Sequence, residues 1–309
     1  MTISAFYNII NCMGIKGIIV VNPFLIPVES VNQAKRLQEE FNKLNVQVEI
    51  VSDGYIHSLL DGENIKNQLS NIDFAIYLDK DMYLSEILER LNVRLFNRHD
   101  AIRVCDDKAK TCIALAGKGF NIPKTMFGAL CYSKDCKIDP QNADKIASKL
   151  GYPVIVKECF GSMGKGVYKA DNKDQLISIM DSVKLKPHVY QEYIGAKSGV
   201  DVRIVVIGGK AVAYMERRND QDFRSNVARG GEGVLVDLDK QFIDTAERIA
   251  KTLNLDYCGI DLLYGNNGEP IVCEVNSNAF FHGLEKATGI NVAKLYAEHV
   301  IRTIKDENK

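Results

Sequence analysis

The sequence predicts an α/β chain, with a parallel α/β unit first and a larger part built on antiparallel hairpins after it. Three observations carry that expectation. Strand-like and helix-like segments alternate over residues 1–97. A loop with three glycines joins two apolar strands near residue 160. Two apolar runs, 257–264 and 271–276, flank a turn rich in Gly and Asn and read as a β-hairpin.

In the first part, residues 17–22 are a short strand of the buried type, ending at Pro23. Residues 31–44 have apolar side chains at Val31, Ala34, Leu37, Phe41 and Leu44, the spacing of one helix face. Strands at 46–51, 73–78 and 93–96, with a helix at 81–91, complete an alternation that implies parallel pairing. Residues 1–14 are moderately apolar but lack a basic start and a small-residue cleavage site, so they read as an extension, not a signal peptide.

Residues 101–117 read as one helix, 121–125 as a linker, and 142–150 as a helix stopped by Gly151 and Pro153. A helix at 173–183 precedes a strand at 188–194, read as a sheet edge. Strands 201–207 and 210–215 turn tightly at Gly208–Gly209, with Asp201 and Arg203 on one face. Residues 216–231 read as a long polar loop with four arginines, either a solvated surface or a binder of carboxylate and phosphate. Helical pieces at 240–253, 283–288 and 292–304 complete the chain.

Composition narrows the function. With a formal net charge of −1 and 26% charged residues, the 309-residue chain has no general attraction for nucleic acid or an acidic membrane surface. No apolar run approaches a membrane span. The eight cysteines show no disulfide framework and fit reduced thiols in a cytoplasmic protein. Cys131 and Cys136 are the one close pair, either incidental thiols of a surface loop or a bridge or metal site.

The chemistry concentrates in two stretches. Pairing Tyr264 with Ile271 across a six-residue loop sets Asp261 opposite Glu274, with Asn276 on the same face. Facing carboxylates destabilise a sheet unless that face is solvated or a cation lies between them. Hard oxygen ligands suit Mg²⁺, which uses one or two carboxylates together with nucleotide phosphates. The second stretch runs from Lys157, inside an apolar strand, through Gly161, Gly164 and Gly166. It is neither a Walker A loop nor the glycine pattern of dinucleotide folds. A plain hairpin turn is one reading; a lid over phosphates is the other, since the Lys157 ammonium needs an anionic partner.

The order of 154-Val-Ile-Val-Lys157, Gly161-x-x-Gly164-x-Gly166, Gln191-Glu-Tyr-Ile194, Asp201-x-Arg203, Asp222-Phe-Arg-Ser-Asn226, Arg229-Gly-Gly231, Gly259-Ile-Asp261 and Glu274-Val-Asn276 resembles the ATP-grasp superfamily. More narrowly, it is similar to the RimK-type glutamate ligases over residues 98–305. The resemblance implies an N-terminal α/β domain (1–97), a central lid-bearing domain (98–190) and a C-terminal domain with an antiparallel sheet (191–309). It implies ATP held by Lys108 and Lys157 at the phosphates, beneath Gly161, Ser162, Gly164 and Gly166. Gln191, Glu192, Tyr193 and Ile194 would line the adenine, and Asp201 would meet the nucleoside. Arg224, Ser225 and Asn226 would stand at the phosphate and substrate end. Asp261, Glu274 and Asn276 would hold a pair of Mg²⁺ ions, with Mn²⁺ as a substitute.

The implied reaction joins a small-molecule, peptide or protein carboxylate to an amino-acid amine through an acyl phosphate, with Arg203, Arg224 and Asn226 as the catalytic candidates. A phosphotransferase and a nucleotide-binding regulator without turnover are the alternatives, and a homo-oligomeric state stays open. The chain departs from the family after Asn276, where Phe280, Phe281 and His282 replace small residues and a Pro, leaving the identity of acid and amine open.

Overall fold

The structure, a computed structural model, describes residues 14–24, 28–62, 64–67, 69, 71–226 and 230–307. The extension at 1–13 and Arg229 therefore lie outside the described residues. The chain divides into two compact units, residues 1–96 with 293–309, and residues 97–292.

The first unit follows the predicted alternation. Strand β1 (Lys16–Val21) leads to helix α1 (Val28–Lys43) and strand β2 (Gln47–Ser52). A short hairpin, β3 (Ser58–Leu60) with β4 (Ile65–Asn67), is largely exposed and has no periodic signal in the sequence. Strand β5 (Phe74–Tyr77), helix α2 (Met82–Arg90) and strand β6 (Arg94–Phe96) complete a parallel sheet of order β2-β1-β5-β6. Ala34, Leu37 and Phe41 of α1 are fully buried, whereas Val31 stays largely exposed at the flank. Burial of Leu37 and Phe41 contributes roughly 1.5–3 kcal/mol each, which fixes the helix face where propensity alone would not.

At the carboxyl end of β2, a single 3₁₀ turn (Asp53–Tyr55) brings Asp53 to Asp79, with Asp81 beyond. Burial, then the hydrogen bond and charge of Asp79, push the Asp53 carboxyl up to about 7. Because this folded-state value lies above the ordinary one, the native chain holds a proton that the unfolded chain has lost. Stability is expected to fall as pH rises from about 4 to about 7 and then to level. Asp53→Asn should flatten that slope in thermal unfolding midpoints taken from pH 4 to 8. An unchanged slope would contradict it.

The second unit opens with a difference from the sequence reading. The single helix expected at 101–117 is two, α3 (His99–Asp106) and α4 (Lys108–Leu115). Asp107 between them is extended, and its carboxylate accepts the Ala109 and Lys110 N–H groups at 2.9 and 3.3 Å, capping α4. Lys108 thereby becomes the first residue of a new helix instead of a point on a continuous surface.

Strand β7 (Thr125–Phe127), helix α5 (Pro140–Leu150), strands β8 (Val154–Glu158) and β9 (Val167–Ala170), helix α6 (Lys173–Val183) and strand β10 (His188–Glu192) follow. They form an antiparallel sheet of order β7-β10-β8-β9. Ala143 and Ile146 of α5 and Leu176 and Met180 of α6 pack on Val154 and Val156. Strand β10 is interior, not the expected edge; Phe127 to Thr125 pair along its other side.

A second antiparallel sheet, of order β13-β12-β11-β14-β15, comprises β11 (Val200–Ile207), β12 (Lys210–Arg218), β13 (Glu232–Val234), β14 (Tyr257–Tyr264) and β15 (Pro270–Asn276). Helix α7 (Lys240–Thr252) covers one face, with Phe242, Ala246 and Ile249 packed on Val202, Ile204, Ile260 and Leu262. Strand β12 runs to Arg218, so residues 216–218 belong to the sheet and not to the expected loop. Helix α8 (His282–Thr288) follows β15. The terminal helix α9 (Val292–Glu307) belongs mainly to the first unit, where the Tyr296 hydroxyl donates to the Phe96 carbonyl at 3.2 Å.

Candidate active site

The β14–β15 hairpin places the acidic pair, though by a different register from the predicted one. Tyr264 pairs with Pro270 and Leu262 with Val272, one residue away from the expected alignment. A bulge then leaves Cys273 without a partner and restores Asp261 opposite Glu274, with Gly259 opposite Asn276. One extra residue on β15 thus offsets the shorter turn. Buried Asn97 anchors the hairpin's base: its amide donates to the carbonyls of Tyr257 at 2.7 Å and Ser277 at 2.8 Å, and its oxygen accepts the Asp256 and Tyr257 N–H groups.

The conflict between the facing carboxylates is resolved by protein cations, where the sequence pointed to a metal ion or solvent. Asp261 is 2% exposed and takes both Nε and Nη2 of Arg203, the latter at 2.7 Å, and Nη2 of Arg217 at 3.0 Å. Arg217 also donates to Asp201, with Nε at 2.7 Å. Glu274 lies 3.2 Å from the Lys108 ammonium. The partners follow from strand register, since Arg217 faces Asp201 across β12–β11 and Arg203 faces Asp261 across β11–β14. Three carboxylates therefore meet three cations. Burial alone would raise the Asp261 carboxyl, but Arg203 and Arg217 outweigh it and hold the group below its ordinary value.

Opposite this wall, the turn from β8 to β9 carries the glycines. Gly164 and Gly166 have φ of 69° and 70°, the left-handed region that favours glycine, and a Cβ on Gly166 would lie 2.9 Å from the Glu158 side chain. Lys108 reaches this turn as well, donating to the Gly161 carbonyl at 3.1 Å. Arg224 joins the polar loop to the same turn: Nη1 donates to the carbonyls of Gly164 at 3.1 Å and Val167 at 3.2 Å, while Nε and Nη2 engage Asp222. Lys157 differs from these cations. Among the described residues its ammonium has no carboxylate partner, and its one hydrogen-bond contact is the Cys273 thiol at 3.9 Å. Burial pushes that thiol up to about 11 despite the neighbouring ammonium.

These elements enclose an open cleft of about 870 Å³. Of the residues expected at the site, Lys108, Lys157, Gly161, Ser162, Gly164, Gln191, Glu192, Tyr193, Ile194, Asp201, Arg224, Ser225, Asn226, Asp261 and Glu274 line it. Gly166, Arg203 and Asn276 do not. Gly166 shapes the turn, and Arg203 is turned onto Asp261. The Asn276 Nδ2 is buried without a hydrogen-bond partner. Phe281 packs edge-on against Tyr257 in the core and His282 is exposed at the start of α8, so neither reaches the cleft.

Sequence reasoning missed Arg217, hidden in a polar run, and the apolar walls Ile155 and Leu263. Those two share strand faces with Lys157 and Asp261, so their period-2 spacing was a signal that could have found them. Lys197 also lines the cleft, its ammonium 3.6 Å from the centroid of the Tyr264 ring.

Two antiparallel sheets, with a glycine turn, lysines and a carboxylate-bearing hairpin around a shared cleft, define an ATP-grasp fold. Among solved structures, the D-alanine–D-alanine ligase of Bacillus anthracis complexed with ATP superposes with a TM-score of 0.70 at 19% identity, covering 95% of this chain and 99% of that one. That likeness concerns the fold. The sequence profile of the RimK-like ATP-grasp domain matches residues 105–300, and the chain belongs to that family. It is 36% identical over 225 residues to beta-citrylglutamate synthase B of Danio rerio, covering 72% of this chain and 54% of that protein. It is 37% identical over 224 residues to a probable alpha-L-glutamate ligase 2 of Pseudoalteromonas atlantica, covering 71% of each. The chain thus matches only about half the length of the fish relative. Among the described residues, no helix is long and apolar enough to cross a membrane.

Proposed function

We propose that this protein is an ATP-dependent carboxylate–amine ligase that forms an amide and releases ADP and phosphate. The observation that carries the reading is Lys157, a half-buried ammonium in the cleft with no carboxylate partner among the described residues, while Lys108, Arg203, Arg217 and Arg224 each have one. A group in that state calls for an anion, and a triphosphate supplies one. Ile155 and Leu263 offer apolar walls to a base, with the chain at Gln191–Ile194 along its edge.

The donor set fits Mg²⁺. Asp261 and Glu274 provide hard oxygens, and an Asn276 amide turned end for end would present a carbonyl oxygen where its nitrogen has no partner. The remaining ligands of such an ion would be phosphate oxygens and water. When bound, the metal would neutralise charge on the phosphates. Lys108 and Lys157 would hold the triphosphate, with the glycine turn beside it. Arg203 and Arg217 keep Asp261 ionised, a positioning role that replaces the direct contact expected of Arg203.

In the reaction, an oxygen of the substrate carboxylate attacks the γ-phosphorus and the bond to the bridging oxygen breaks, leaving ADP and an acyl phosphate. The amine nitrogen then attacks the acyl carbon, and phosphate leaves with the bonding pair and takes up the proton the nitrogen gives up. Positioning and charge stabilisation do most of this work. Arg224, Ser225 and Asn226 stand where the acid would enter. The names of the two relatives make glutamate the first amine to test, and free thiols at the described cysteines suit a cytoplasmic setting. ADP release should be screened over pairs of carboxylic acids and amino acids, with mass spectrometry of the product. An amide that needs both partners supports the ligase. A stable phosphorylated acid would make the protein a phosphotransferase, and nucleotide binding without ADP release would make it a regulator.

A further inference from the structure

We propose that Cys131 and Cys136 form a modification site outside the cleft, a thiol pair that closes to an intramolecular disulfide on reaction with a peroxide. The loop between β7 and α5 folds back on itself at Ser133. The Cys136 N–H donates to the Ser133 carbonyl at 3.3 Å, the Asp135 N–H donates to the Ser133 hydroxyl at 3.2 Å, and the Cys131 thiol lies 3.0 Å from that same carbonyl. The turn thus gathers both cysteines at one carbonyl, the Cys131 thiol and the Cys136 N–H each meeting the Ser133 oxygen. Both arms are tied to Lys184 at the end of α6: the Cys131 N–H donates to the Lys184 carbonyl at 2.8 Å, and the Lys184 ammonium donates to the Cys136 carbonyl at 2.7 Å. Two cysteines that meet the same carbonyl on an anchored turn can be joined by local rearrangement of that turn.

Access and reactivity point the same way. Cys136 is exposed, Cys131 is half-buried, and Tyr132 between them is 91% exposed, so the turn is open to solvent. Cys105, Cys159 and Cys258 are buried, and burial pushes the thiols of Cys112, Cys159, Cys258 and Cys273 up. Backbone hydrogen bonding at Ser133, then the Cys136 thiol, instead holds Cys131 below its ordinary value. The Lys184 ammonium, fixed at the neck of the turn, adds a positive charge beside the pair, and Cys131 is the attacking sulfur and Cys136 the resolving one.

The Cys131 thiolate attacks one peroxide oxygen, the O–O bond breaks, and the departing hydroxide takes up a proton to become water. Cys131 is left as a sulfenic acid. The Cys136 sulfur then attacks the Cys131 sulfur, the S–O bond breaks, and water leaves with the Cys136 proton. Two thiols are oxidised and one peroxide is reduced to two waters.

The test treats the full chain with limiting hydrogen peroxide, blocks residual thiols and maps peptides by mass spectrometry. The expected product is a Cys131–Cys136 bond, reversed by dithiothreitol, formed about tenfold faster than oxidation of any other described cysteine. In Cys136→Ser, dimedone should trap a sulfenic acid at Cys131. In Cys131→Ser, Cys136 should stay reduced over the same interval. Bonding to Cys12 or to a second chain, separate oxidation of each thiol without a bond, or equal reactivity of Cys136 in Cys131→Ser would each overturn the proposal. The ligase reading stands or falls independently of this result.

Discussion

Lys157→Ala is expected to lower ATP-dependent turnover by about 10²–10³-fold while leaving the unfolding midpoint nearly unchanged. The two halves of this expectation have different physical sources. Lys157 lies in β8 with its ammonium toward the cleft, near the Cys273 thiol and with no carboxylate to leave stranded among the described residues. Removing it breaks no described ion pair, so the fold should tolerate the change. A phosphate held by that ammonium would lose a charge-assisted contact in a partly desolvated site, where a single stabilising donor is typically worth that factor. ADP release and thermal unfolding measured on one preparation check both halves. Full turnover in the variant would mean that the phosphates bind elsewhere.

Asp261→Asn should weaken metal binding and also cost stability strongly. Two guanidinium groups converge on this buried carboxylate, and removing its charge leaves them facing a neutral amide. Breaking a buried pair from one side costs about 3–5 kcal/mol, moderated here because Arg217 keeps Asp201. The pH dependence has a definite sign. The Asp261 carboxyl is held below its ordinary value in the folded chain, so its contribution is fully present above about pH 4 and is lost as pH falls through the folded value. Urea unfolding should show a large gap between wild type and variant at neutral pH, narrowing in acid. Glu274→Gln should be much milder, because the Glu274 side chain is 23% exposed and has a single lysine partner. Equal stability losses in the two variants would contradict the charge arrangement described here.

Much of this was legible in the sequence, and the failures have local causes. The hairpin was readable because period-2 alternation places Asp261 and Glu274 on one face, but the alignment through Tyr264 was one residue off. A bulge leaves no compositional trace at Cys273, and only the identity of the opposed carboxylates survived. The break at Asp107 had a signal, an Asp followed by a helical run, that apolar spacing through residues 101–117 concealed. Arg217 was read into a loop because Glu216-Arg-Arg is polar, yet register with Asp201 makes it the centre of a buried charge network. The grouping of α9 with the first unit depends on contacts distant in sequence, such as Tyr296 with Phe96, which no periodicity reveals.

The most direct measurement is a crystal structure of the protein with a non-hydrolysable ATP analogue and magnesium. The triphosphate should lie between Lys108 and Lys157 on one side and the β14–β15 hairpin on the other, with metal density touching oxygens of Asp261 and Glu274. A nucleotide bound away from this cleft, or one whose metal leaves both carboxylates untouched, would contradict the reading.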